Sequence, residues 1–313
     1  MKITALAGGV GGAKLLDGLA QVIPPENLVA IVNTGDDFEH FGLHISPDID
    51  TVCYNLAGNS NIETGWGVKD ETWNVLETIT SLAGPDWFRI GDKDFATHLE
   101  RTRRLKLNEP LSEVTRILCG RWGIKNTVLP MSDDPVRTVV STDEGLLPFQ
   151  EYFVKRHCEP LVCGFEFSGI ESCQPAPGVI DAIYNADAVI ICPSNPWVSI
   201  DPILKIPGIS ETLKKKVVVA VSPIICGKAI KGPLSKMFSE LGIEASAFSV
   251  AEHYKGYLSG FIIDNQDYDQ KKAIEERNVK VGCLDIIMNN RIDRRRLAEE
   301  LLIFCKTMLK VTS

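Results

Sequence analysis

The stretch MKITALAGGVGGAKLLDGLA decides most of what this chain can become. A short apolar run at 3–7 ends in four glycines around one valine, Gly8 to Gly12. A helical pattern follows over 12–22, with Leu15, Leu16 and Leu19 on one face. LVAIVNTGDD at 28–37 is a second apolar strand that runs into an acidic turn. Strand, helix and strand in so short a span form a βαβ unit, which requires a parallel sheet and a right-handed crossover. Glycine between strand and helix has a mechanical use. Without Cβ the chain turns tightly and its amides can approach an anion, while the helix N-terminus adds about half a positive charge. The run therefore reads as a phosphate or diphosphate cradle, with Gly9, Gly11 and Gly12 as contacts. A tight turn that serves packing alone is the alternative. A Walker loop is excluded, because Lys14 stands between alanine and leucine. Gly9-Val10-Gly11 fits the first half of a dinucleotide fingerprint, but Lys14 takes the place of its third glycine and the ribose-binding acid is displaced. An NAD-dependent oxidoreductase is disfavoured on that ground.

The rest of the chain extends this beginning. Residues 48–57 read as a helix introduced by Ser46-Pro47-Asp48. From about 70 to 123 the pattern is mostly helical, in three segments of which the last starts at a Ser112 cap. Residues 126–132 and 136–142 are strand-like around the Asp133-Asp134-Pro135 turn, and LLPFQEYFVKR is helical. Apolar runs at 186–193, 216–223 and 244–250 are buried-strand candidates, followed by FIIDN and VKVGCLDIIM. A helix from about 293 to 309 closes the pattern. These elements predict an α/β fold: a doubly wound, mostly parallel Rossmann-like sheet with a mainly helical inserted sub-domain. The core is expected at 1–60 and 180–313, and the insertion at 61–179.

Composition narrows the partners. With 41 acidic against 33 basic residues the net charge is −8, which repels nucleic acid and anionic membrane. No apolar stretch nears the roughly 18 residues of a membrane span, and no signal peptide is read. The 9 cysteines are scattered and form no CxxC pair, so they are read as reduced thiols of a cytoplasmic protein. His157-Cys158 with Cys163 comes nearest to a zinc cluster but lacks a second ligand pair.

The acidic turn carries the chemistry. NTGDDFEHFGLHISPDIDTV brings Asp36, Asp37, Asp48 and Asp50 close in sequence, at the strand end that also carries the glycines. Hard carboxylate ligands suit Mg²⁺ shared with substrate phosphates, and phosphoryl-group transfer needs charge neutralisation and in-line positioning. Asp48 and Asp36 are the candidate metal ligands, with Asp37 beside them. Capping and turn chemistry is the plainer reading of any one of them. His40 and His44 are candidate bases or packing residues. Trp87 and Phe88 beside Arg89 and Lys93 suit a flat polar heterocycle, or else form a buried aromatic corner. Ser194 and Asn195, at a strand end, could donate to a phosphate or a base edge. Arg137, Lys228 and Lys231 offer further anion contacts.

Six of these stretches occur together in order from residue 1 to about 260: ALAGGVGGAKLLDGL, NTGDDFEHFGLHISPDIDTV, WFRIGDKDFATHLERT, MSDDPVRT, PSNPWVSI and VSPIICGKAIKGP. The set resembles the 2-phospho-L-lactate transferases of deazaflavin coenzyme biosynthesis. The resemblance implies a Rossmann-like homodimer that requires Mg²⁺. It implies transfer of the 2-phospholactyl group of a guanosine-diphosphate-linked lactate to the ribityl hydroxyl of the deazaflavin Fo, with release of GMP. Enolpyruvate is the related three-carbon alternative to lactate. It further implies that Asp50 and Arg89 contact Fo, and that the glycine turn, Ser194 and Asn195 hold the guanine nucleotide. Trp87 and Phe88 would wall the deazaflavin ring, and Asp50 would orient the attacking hydroxyl. A relative of the same fold that binds a nucleotide sugar without catalysis is the competing class. Retention of Asp48 and Asp50 favours the enzyme.

Overall fold

The computed structural model describes residues 1–61, 64–229 and 232–312. The chain opens with β1 (Ile3–Ala7), α1 (Gly9–Ala20) and β2 (Leu28–Val32), the βαβ unit expected from its glycines. A small hairpin of β3 (Phe38–His40) and β4 (Leu43–Ile45) leads into α2 (Pro47–Leu56). Helices α3 (Asn74–Ser81), α4 (Asp92–Leu105) and α5 (Leu111–Arg121) follow, then β5 (Thr127–Pro130). Strands β6 (Arg137–Thr142), β7 (Gly145–Pro148) and β8 (Val162–Ser168) form a separate antiparallel sheet in the order β7-β6-β8. After α6 (Val179–Asn185) come β9 (Ala188–Ile191), α7 (Asp201–Leu204), α8 (Ile209–Leu213) and β10 (Val217–Val221). The two-residue strands β11 (Ile224–Ile225) and β12 (Lys228–Ala229) precede α9 (Leu234–Glu240), α10 (Ala247–His253) and β13 (Gly260–Asp264). Then α11 (Lys271–Glu275), β14 (Lys280–Leu284) and the long α12 (Arg291–Thr312) complete the fold.

The main sheet has the order β14-β13-β10-β9-β1-β2-β5, with every pairing parallel. The chain winds outward from β1 through β2 to β5, returns to β9, and winds the other way. The reversal between β1 and β9 is the switch point at which α/β sheets open a crevice for ligands. Both faces are covered, so the central strands are almost wholly apolar and alternate between two cores; Thr4 of β1 is the buried polar residue, its hydroxyl donating to the Ala182 carbonyl at 2.7 Å. Ala5, Ala30, Ile190 and Val219 face the helices α1, α2, α5 and α12, through Leu15, Leu16, Val52, Cys119, Leu297 and Leu301. Leu6, Ile31, Val189, Ile191 and Val218 face the other side, through Ile183, Ile209, Phe238, Val250 and the β6–β8 sheet.

Several local expectations are corrected. Helix α1 starts at Gly9, so the glycines form its first turn instead of a loop before it. Among the described residues, segment 61–179 is helical through α3–α5 and one short turn at Glu151–Lys155. It also carries the β6–β8 sheet, and its β5 pairs in parallel with β2 to close the main sheet. The core boundary at residue 60 therefore misses a core strand. The helices before β5 supply the long crossover that a parallel pairing requires, and Pro130 is tolerated because β5 lies at the edge. EASAFSV is not a strand: Ser246 caps α10 by accepting from the Ser249 amide at 3.1 Å, and Ala247, Val250 and Ala251 are buried. LLPFQEYFVKR divides into β7 and one wide helical turn at Glu151–Lys155. Ser112 is not the cap of α5. Pro110 holds that position, and the Ser112 amide and Oγ both donate to Asp133. Among the described residues, no helix is long and apolar enough to cross a membrane.

Candidate active site

The switch point is drawn tight by residues from three elements. Gly8 is extended and Gly9 takes φ +61°, a left-handed conformation that favours glycine. The Gly8 amide donates to Ser194 Oγ at 3.1 Å, and that hydroxyl donates back to the Gly8 carbonyl at 2.7 Å. The loops after β1 and β9 are thus laced together. A Cβ at Gly11 would sit 2.3 Å from the Pro193 carbonyl oxygen, and one at Gly12 would lie 2.6 Å from Ser194 Oγ. Close approach of the β9 loop accounts for both glycines. Asn195 is also used within the protein. Its Oδ1 accepts from the Trp197 and Val198 amides, and its Nδ2 donates to Met237 Sδ. In this conformation Ser194 and Asn195, expected to reach the nucleotide, bind backbone and a neighbouring side chain. Lys14 donates to the Met288 carbonyl at 2.9 Å.

The acidic turn meets the glycine turn directly. Asp48 is buried in the first turn of α2, where its Oδ1 accepts from the Gly9 amide at 2.7 Å and its Oδ2 from Asn33 Nδ2 at 2.9 Å. Two helix N-termini therefore converge on one carboxylate. Burial nevertheless pushes the Asp48 carboxyl up to about 6, against the pull of those two hydrogen bonds. Asp36 is driven well above the usual carboxylate range, first by burial and then by the charge of Asp48. Asp37 accepts from His44 Nε2 at 2.9 Å and Ser46 Oγ at 2.8 Å through its Oδ2. Asp36 Oδ1 and Asp37 Oδ1 are buried without a hydrogen-bond partner, as are the hydroxyls of Thr34 and Thr138. Three buried carboxylates with two unpartnered oxygens are a costly arrangement for an unliganded protein. Their oxygens have the donor chemistry of ligands for a hard divalent cation, but they are not gathered as closely as those of Asp50, Asp94 and His98, the one such group among the described residues. Half-buried Arg137 lies over this turn, donating to the carbonyls of Val136 and Thr34.

A second cluster adjoins the first through α2. Asp50, two residues beyond Asp48 in α2, pairs through both oxygens with the Arg101 guanidinium. Burial raises the Asp50 carboxyl, opposed by the charge and hydrogen bonds of Arg101. Arg101 also donates to His98 Nδ1 at 3.2 Å, and an arginine only donates, so the ring proton sits on Nε2. Tyr54 donates to Asp94 Oδ1 at 2.7 Å. Asp50, Asp94 and His98 are close enough together to suggest a metal site. The buried Arg101 guanidinium against both Asp50 oxygens and His98 Nδ1 already supplies the positive charge there, so this cluster is an ion-pair network.

Trp87 and Phe88 are half-buried and wall the β3–β4 hairpin. Their ring centroids lie 5.1 and 5.8 Å from His40, and Phe88 packs edge-on to Phe38 at 4.8 Å. Burial lowers the His40 pKa, and its Nε2 has no partner. Arg89 is exposed and lies over the Trp73 ring at 4.7 Å. Lys228 is exposed on β12, and Lys231 lies outside the described residues. Sequence patterning missed Tyr54, Asp94, His98 and Arg101. The only signal is spacing, since Asp94, His98, Arg101 and Thr102 fall on one face of α4. The many charges of that helix hide it.

The profile of the family described as 2-phospho-L-lactate transferase CofD matches residues 3–302. The chain belongs to this family. Among its relatives, a phosphoenolpyruvate transferase of Thermobifida fusca is 44% identical, over 93% of each chain. One of Streptomyces griseus is 42% identical, over 93% of this chain and 94% of the relative. A 2-phospho-L-lactate transferase of Methanosarcina acetivorans is 38% identical, over 94% and 96%. A crystal structure of a Bacillus halodurans protein covers 96% of this chain and 99% of its own, with TM-score 0.64 at 15% identity, which shows the shared fold. Within this transferase family, the switch-point cluster is the candidate centre of the reaction.

Proposed function

We propose that this transferase moves a phosphorylated three-carbon acid from a guanosine-diphosphate-linked donor onto the ribityl hydroxyl of the deazaflavin Fo, with GMP as the leaving group. The observation that carries this reading is the bond from the Gly9 amide to Asp48. It places the glycine turn, the acidic turn and the start of α2 at one point of the crevice. The next amides of α1, at Val10 and Gly11, have no partner within the helix and remain for a donor phosphate oxygen. Asp36 and Asp48, with Asp37 beside them, would hold a Mg²⁺ ion. When bound, that ion supplies neutralisation of the diphosphate charge. Arg137 adds a fixed cation on the same side.

On the acceptor side Trp87 and Phe88 offer stacking area for a flat ring, and Asp50 offers a carboxylate to the attacking hydroxyl. Attack in line requires that oxygen about 3 Å from phosphorus, opposite the departing nucleotide. Both Asp50 oxygens face the Arg101 guanidinium, which opposes the proton uptake that burial favours and holds the carboxylate for hydrogen-bond acceptance. Asp50 therefore orients the hydroxyl by accepting its hydrogen bond; as the new phosphorus–oxygen ester bond forms, the anhydride bond to GMP breaks, and the hydroxyl proton passes to solvent water.

The carried acid is the 2-phospholactyl group by the family description. Enolpyruvate is the second reading, supported by the names of the Streptomyces and Thermobifida relatives at 42% and 44% identity. The test is GMP release with Fo, Mg²⁺ and each guanosine-linked donor in turn. Release that requires both Fo and Mg²⁺ is expected, and the better donor names the acid. Nucleotide bound without turnover of either donor would instead indicate a binding protein of this fold.

A further inference from the structure

We propose that Arg101 is a positioning residue: its buried guanidinium fixes the Asp50 carboxylate, and His98 fixes the guanidinium. Helix α4 thereby sets the geometry in which α2 presents Asp50 to the acceptor. This deepens the acceptor half of the proposed function and rests on it.

Arg101 is 1% exposed and heads the largest fully buried side chains of the protein. Arginine is rarely buried to this degree unless paired. As a means of stability such a pair is inefficient, because desolvation of two charges offsets most of their attraction and an apolar pair of equal volume serves as well. What the pair provides is geometry. Two parallel N–H groups meet two carboxylate oxygens, which fixes the rotation of the Asp50 side chain as a single ammonium would not. The guanidinium is itself held from a second direction by His98 Nδ1 at 3.2 Å. His98 in turn approaches Asp94 Oδ1 at 3.5 Å, and Tyr54 of α2 donates to that same oxygen. Arg101 and Asp94 thus tie α4 to α2 at two points, through Asp50 and Tyr54. Thr102, next to Arg101, accepts from the His44 amide at 2.7 Å and so ties the same helix to β4 beside the acidic turn.

The test is steady-state kinetics on the full chain with Arg101→Lys, His98→Asn and His98→Gln, alongside thermal unfolding. Arg101→Lys keeps the charge and loses the fork. It is expected to lower kcat by ~10²-fold, the scale of a small misplacement, and to raise the Fo KM while the donor KM stays within about twofold. His98→Asn puts an amide oxygen where Nδ1 stands and is expected to stay near wild type. His98→Gln puts its amide at the Nε2 position, leaves Arg101 Nη1 without this acceptor, and should follow Arg101→Lys. A purely structural pair would lower the active fraction alone, so kcat would fall with both KM values unchanged. That result overturns the proposal, and so does equal activity of the two His98 variants, which stands even if Arg101→Lys fails to fold. Titration of Fo fluorescence reads the same contact without turnover. Wild-type binding without GMP release would refute the reaction, whereas an unchanged Fo affinity in both Arg101→Lys and His98→Gln would refute the positioning role.

Discussion

Replacing Asp48 by asparagine should stabilise the metal-free protein at neutral pH while it disables the enzyme. Burial raises the Asp48 carboxyl from 3.8 to about 6. A folded-state pKa above the unfolded one means that stability is complete below about pH 4 and is lost as the pH rises toward the folded value. Two pKa units correspond to about 3 kcal/mol, all of it lost by about pH 7. Asparagine removes this ionisation. It keeps an oxygen for the Gly9 amide but turns an amide toward Asn33 Nδ2, which forfeits one hydrogen bond worth about 1 kcal/mol. The net expectation is a gain of about 2 kcal/mol near pH 8, falling by about 1 kcal/mol at pH 5. The assay is denaturant unfolding of both proteins in chelator at the two pH values, with GMP release measured beside it. Turnover of Asp48→Asn should drop by ~10²-fold or more for lost positioning of charge. A stability difference that does not change between the two pH values would refute the reasoning, because it would mean that Asp48 is not strained by ionisation.

Gly11→Ala would press a Cβ to 2.3 Å from the Pro193 carbonyl, so its unfolding midpoint should fall, by ~1–3 kcal/mol, and its donor affinity with it. Gly120→Ala, which meets nothing within 4 Å, is the control and should be neutral or stabilising in the same melt. Asp50→Ala leaves the Arg101 charge buried and unpaired and should cost ~3–5 kcal/mol of stability, so Asp50→Asn is the informative variant for its expected ~10²-fold loss of turnover. Trp87→Ala should weaken Fo binding in a fluorescence titration while donor binding, measured by calorimetry, stays unchanged. Arg89→Ala should likewise weaken Fo binding more than turnover at saturating Fo, and unchanged affinity would remove Arg89 from the site.

Much of this architecture is readable before folding because its determinants are local. The strands β1, β2, β9, β10 and β13 are short apolar runs, and a sheet covered on both faces requires that. The glycine and acidic turns fall at strand ends by the same logic. What escaped depends on distant partners. β5 is four residues ending in proline, and only pairing with β2 makes it core. EASAFSV alternates like a strand, yet Ser246 and the buried face of α10 make it a helix. Ser194 and Asn195 looked available to a ligand, but short polar side chains at strand ends readily bind backbone, as both do here. Arg101 sits in a helix crowded with charge, and nothing in its neighbours shows that it turns inward to an aspartate 51 positions earlier.

The most direct test is a crystal structure of the protein with GMP, Mg²⁺ and Fo bound together. The account predicts the nucleotide phosphate at the Val10 and Gly11 amides and the ion on Asp36 and Asp48. It predicts the deazaflavin against Trp87 and Phe88, with its ribityl hydroxyl on Asp50 and within about 4 Å of the phosphate. Nucleotide bound away from the β1–β9 switch point, or Fo bound out of reach of Asp50, would contradict it.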